Sequence, residues 1–158
     1  MKKIHHIDAA VIRFFHHVHI PFARIAIFVV FFWFGILKVL GLSPAGPLVQ
    51  SLFERTIPIM PFATFYVLFA LFECTIGILF LIKGAERIVI PLLFLHMVTT
   101  FMPLFMLPSV TWSAPFAPTL EGQYIIKNLV IIALAISIAA KLKPLHLMEN
   151  KNTPTVEY

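Results

Sequence analysis

The chain has 158 residues, 60% of them hydrophobic and 12% charged, with a net charge of +5 and a single cysteine. That charged share is about half of what globular domains carry, and so small a soluble domain cannot bury so much apolar surface. Lipid must solvate most of it. The basic residues flank apolar runs instead of forming an aromatic-interleaved stripe, which excludes a nucleic-acid partner and marks membrane topology.

Residues 1–19 open the chain. Ile4, Ile7, Val11, Phe14, Phe15 and Val18 recur at helical spacing, with His5, His6, Arg13, His16 and His17 on the other side. The pattern predicts an amphipathic helix lying in the membrane interface, with Lys2, Lys3 and Arg13 reaching headgroups. The first span is expected over 20–42. Its apolar run is too long for the core of a cleaved signal and ends in bulky residues with no A-x-A site, so it is expected to remain as an anchor. Pro21 suits a first helical turn. Arg24 and Lys38 are roughly 21 Å apart at helical rise and are placed to snorkel to opposite interfaces. Trp33 lies between them, and Gly35 admits a close helix neighbour.

A Pro/Gly connector follows, with a short surface helix expected over 48–57. The second span, 61–82, carries one formal charge, Glu73. The third, 88–107, carries His96, Thr99 and Thr100 and is interrupted by Pro91 and Pro103. Residues 108–119 read as a proline-rich connector with Trp112 as an interface aromatic. The fourth span, 120–140, places Glu121, Gln123, Lys127 and Asn128 in its first turns. A polar, disordered tail is expected over 142–158. The fold expected is all-α: an integral membrane four-helix bundle with an N-terminal amphipathic interfacial helix. With the N-terminus in the cytoplasm, the twelve Lys and Arg residues divide nine inside to three outside. This asymmetry predicts a multi-pass protein of the inner membrane with both termini cytoplasmic.

A carboxylate inside the bilayer costs on the order of 2.5–3.5 kcal/mol on insertion scales and is usually functional. Glu73 lies near mid-depth, as does His96, so the two are candidate catalytic residues: a proton-binding carboxylate with an imidazole partner. Lys38 and Lys127 form an expected cationic rim above them. Trp33, Glu121, Gln123 and Asn128 complete a candidate ligand-binding set. Haem or copper on His96 is argued against because no other span holds a facing histidine, and no metal site is assigned. Cys74 reads as a small buried hydrophobe. No phosphate loop, nucleophile elbow or H-E-x-x-H is present, which argues against hydrolysis and phosphoryl transfer.

Trp33-Phe34-Gly35-Ile36-Leu37-Lys38, then Pro44 to Ser51, resembles the first-span signature of the DoxX-like superfamily. Glu73 with Gly77 resembles its second-span pattern. Glu121-Gly122-Gln123-Tyr124 through Lys127-Asn128-Leu129 resembles the fourth-span motif of its YkgB-type, reactive-chlorine-resistance branch. The resemblance runs from about residue 20 to 141 and leaves the histidine-rich N-terminus outside. It implies an inner-membrane four-helix bundle linked to oxidative stress or to quinone-dependent oxidoreductases. The leading expectation is therefore a redox-associated protein binding a quinone or another lipophilic molecule at Glu73 and His96, with a second copy or an oxidoreductase as possible partner. The alternatives are a small proton-coupled transporter or channel, and a non-catalytic membrane scaffold.

Overall fold

The computed structural model describes residues 2–56 and 58–144; the expected tail beyond residue 144, and Ile57, lie outside them. Among the described residues, four helical segments are long and apolar enough to cross a membrane. The first lies within α1 (Lys2–Val39); the others are α3 (Phe62–Leu81), α4 (Glu86–Phe101) with its continuation α5 (Pro103–Met106), and α7 (Leu120–Ala139). They form the all-α bundle expected.

Apolar side chains gain nothing by leaving lipid for each other, so membrane helices associate through close backbone approach and polar contacts. The most extensive contact is the antiparallel crossing of α1 and α3. Gly35 of α1 faces Ala70 and Cys74, and Gly77 of α3 faces Phe28 and Phe32. A Cβ at Gly35 would sit 2.6 Å from Cys74 Sγ, and one at Gly77 2.9 Å from the Phe32 nitrogen. Either would force the helices apart. Alongside this crossing, Ile27, Ile76, Phe80, Val89, Leu93 and Ile138 fill a core shared by α1, α3, α4 and α7.

Both ends of the first span differ from expectation. No break separates residues 2–19 from the span: α1 is one helix of 38 residues with Pro21 inside it. Proline fits helical φ, and what it removes is one hydrogen bond. At the other end the helix stops at Val39 instead of Leu42. Gly41 takes φ +69°, its N–H bonds to the Lys38 carbonyl, and the Leu42 N–H bonds to Leu37. This Schellman closure satisfies the terminal carbonyls.

Because Gly35 lies opposite Ala70 and Cys74, α1 ends roughly 9 Å below the start of α3 at helical rise. Shorter elements fill the remaining height. In α2 (Gly46–Thr56), Phe53 packs 4.6 Å from the Phe65 ring, and Arg55 donates to the Met106 carbonyl at the end of α5. Pro103 interrupts the third span. The expected connector instead contains α6 (Pro108–Thr111) and a small hairpin of β1 (Trp112–Ala114) with β2 (Ala117–Pro118). Trp112 is fastened to the fold: its indole N–H donates to the Leu104 carbonyl at 3.0 Å. Thr119 caps α7, its hydroxyl accepting from the Gly122 N–H at 3.2 Å.

Candidate functional site

At the α1–α3 crossing the fold assembles three ionisable side chains. Lys38 Nζ donates to Glu73 Oε2 at 2.6 Å, and His96 Nε2 lies 3.1 Å from Glu73 Oε1. Lys38, Glu73 and His96 are 7%, 6% and 5% exposed, so the group is enclosed. One carboxylate thus bridges two nitrogen bases on two other helices. Lys38 comes from the last turn of α1, where a cation also meets the carbonyl end of the helix.

The imidazole is held on every side. Phe69 stacks on it at 5.2 Å between centroids, and Phe31 meets it edge-on at 5.2 Å. Its second nitrogen, Nδ1, lies 3.1 Å from the Thr100 hydroxyl, which is also 3.0 Å from the His96 carbonyl. The i, i+4 spacing of His96 and Thr100 brings them to one helix face.

Two proton placements satisfy these same heavy-atom positions. With a neutral ring, Nε2–H donates to Glu73 and Thr100 donates to Nδ1. With one more proton, Nδ1–H donates to Thr100, and the threonine hydroxyl turns to the His96 carbonyl. Each donor keeps an acceptor in both states. The network can therefore take up or release a proton with little movement beyond a hydroxyl rotation. In a low-dielectric interior, where an unpaired polar group is costly, this is a specific capacity.

Of the residues the sequence singled out, Glu73 and His96 meet as expected. Lys38 is a correction: it is not a rim residue snorkelling outward but the cation of the group, because it shares the Gly35 face of α1 that packs on α3. Arg24 does not snorkel either. Its Nε donates to the Phe80 carbonyl at 2.7 Å and its Nη1 pairs with Glu86, closing the end of α3 and fastening the α3–α4 turn to α1.

The fourth-span residues do not join the group. Lys127 is exposed, its ammonium 5.0 Å from the Tyr124 ring centroid. Asn128 donates to the Tyr124 and Ile125 carbonyls of its own helix. Glu121 and Gln123 are exposed, Gln123 reaching only the Pro118 carbonyl. Trp33 is 63% exposed and lies about 140° around α1 from Lys38. It borders a groove of about 290 Å³ with Phe32, Ile36 and Leu37.

Sequence reasoning missed Phe31 and Phe69, gave Thr100 no role in the site although it stood out beside His96, and misplaced Lys38. A signal was there: Gly35 and Lys38 share one face of α1, and Glu73 and Gly77 share one face of α3. Docking those glycine faces antiparallel places the lysine on the carboxylate. No family model, curated protein or solved structure matches the chain.

Proposed function

We propose that this multi-pass membrane protein carries an intramembrane proton-exchange site, Lys38–Glu73–His96, that serves a lipophilic redox ligand of the quinone class in defence against reactive chlorine. The observation that carries the reading is the enclosed carboxylate bridging an ammonium and an imidazole. Such a group is costly in a bundle solvated by lipid, and intramembrane ionisable residues generally mark function. Lys38 balances the Glu73 charge, and the imidazole–threonine pair accommodates the exchanged proton, as general acid–base chemistry requires. Electrons come from the ligand or from a partner oxidoreductase, since the residues here offer acid–base chemistry.

The DoxX-like assignment belongs to this proposal. It is supported by the convergence of the residues that carry the resemblance: Gly35, Lys38, Glu73 and Gly77 all lie in the α1–α3 crossing. The inner-membrane location with both termini cytoplasmic rests on the nine-to-three distribution of basic residues.

Mild-detergent extraction followed by mass spectrometry tests for the ligand: a co-purifying quinone or similar lipophile is expected, and its consistent absence overturns the reading. In cells challenged with hypochlorous acid, Glu73→Gln is expected to remove protection while the protein still inserts and folds. Full protection from Glu73→Gln and from His96→Ala would instead indicate a scaffold.

A second reading is favoured by the hydrogen-bonded run from Glu73 through His96 to Thr100. Such a run suits a proton path in a small proton-coupled transporter. Proteoliposomes bearing a pH dye distinguish it, because only this reading predicts proton flux that Glu73→Gln abolishes.

A further inference from the structure

The N-terminal half of α1 has apolar residues that nothing among the described residues covers. Ile7, Val11, Phe14 and Phe15 are 62%, 46%, 61% and 60% exposed. At 38 residues α1 is about 57 Å long, against roughly 30 Å of hydrocarbon. Residues 5–19 therefore extend past the bundle at the Arg24 end.

The register of the stripe is informative. Counting 100° per residue, Ile7, Val11, Phe14 and Phe15 fall on one side of the helix. The same line continues through Phe22, Ile25, Val29 and Trp33, all of them exposed. The bundle-facing residues Ala23, Ile27, Phe31 and Lys38 lie on the opposite side. The arm's apolar side is thus continuous with the lipid-facing side of the span, and His6, Arg13 and His17 lie on the other. A helix leaving the bilayer and turning outward by about a right angle rotates its former lipid-facing side up against the leaflet. An apolar stripe on any other side would miss the membrane on such a turn. Pro21, which cannot donate to the His17 carbonyl, weakens the ladder where that turn is needed.

We infer that residues 5–19 form an arm that pivots near Pro21 and lies on the lipid surface at the Arg24 end of the bundle. Its apolar stripe enters the acyl-chain boundary, and its histidine-bearing side faces water and headgroups. Lys83, Arg87, Lys141 and Lys143, all exposed, belong to that same end, and Arg87 is bonded to the Lys143 carbonyl at 2.5 Å. The bundle thus presents cations toward the leaflet on which the arm rests. This function is separate from the proton chemistry of the triad.

The test uses the full chain, carrying Cys74→Ala, in vesicles of phosphatidylethanolamine and phosphatidylglycerol. Spin labels are attached one at a time through Ile7→Cys, Val11→Cys, Phe15→Cys, His6→Cys, Arg13→Cys and His17→Cys. Relaxation by membrane-soluble oxygen and by a water-soluble nickel chelate is measured at each. The expected result is alternation: oxygen dominates at the three stripe positions, and the chelate dominates at the other three. Uniform access to the chelate, meaning a helix standing free in water, overturns the inference. So does shielding from both agents with spin–spin broadening, the signature of a second copy on the stripe. Glu73→Gln leaves the alternation unchanged, so loss of the triad's function and loss of the arm's are read separately.

Discussion

Replacing Lys38 by methionine removes the positive partner of an enclosed carboxylate and leaves the volume nearly unchanged. At 2.6 Å, and with an effective dielectric of about 20, the Lys38–Glu73 attraction is about 6 kcal/mol before desolvation is subtracted. The measured cost of breaking one side of a buried pair is about 3–5 kcal/mol, because an unpaired charge stays behind. At about 2–4 °C per kcal/mol for a chain of this size, Lys38→Met should lower the unfolding temperature in detergent by roughly 6–20 °C. The double variant Lys38→Met/Glu73→Gln removes both charges together, and buried pairs replaced by neutral groups of similar size are often as stable as the original. It should recover most of the loss, with His96 still able to hydrogen-bond the glutamine carbonyl. Thermal unfolding followed by circular dichroism, with all three variants in one detergent, reads the coupling directly. If Lys38→Met is as stable as the parent, or the double variant loses the sum of the two single losses, the ion pair described here does not hold the crossing together.

Gly35→Ala should destabilise by about 1–3 kcal/mol despite the better helix propensity of alanine, because its Cβ meets Cys74 Sγ and the Ala70 carbonyl. Adding Cys74→Ala should recover only part, since the Ala70 contact is backbone; unfolding temperatures check both. Arg24→Lys should be nearly as damaging as Arg24→Met, about 3 kcal/mol each, because one ammonium cannot reproduce the guanidinium fork that joins Glu86 to the Phe80 carbonyl. Recovery of full stability by lysine would show that only charge matters there. His96→Phe should fold but fail in hypochlorous-acid protection, since it retains the stacking on Phe69 while removing the proton site. Survival assays on cells with matched expression decide this.

Several features were legible in the residue order because each depends on one segment at a time. Apolar runs of about twenty residues, Pro/Gly connectors and the charge asymmetry require no knowledge of neighbours, and they led to the four spans. The depth of Glu73 and His96 followed from counting at a fixed rise per residue. Helix rotation could not be read that way. In a soluble helix a polar side marks the outside, but here the lipid-facing and core-facing sides are both apolar, so periodicity does not distinguish them. That is why Asn128 and Lys127, sound candidates by depth, turned out to face their own helix and the surface. The stopping point of α1 was likewise decided by backbone closure at Gly41. Sequence by itself determined that a carboxylate stands inside an apolar bundle. The tertiary structure decided that its cation is Lys38, because only the crossing of α1 on α3 converts positions 35 residues apart into a 2.6 Å contact.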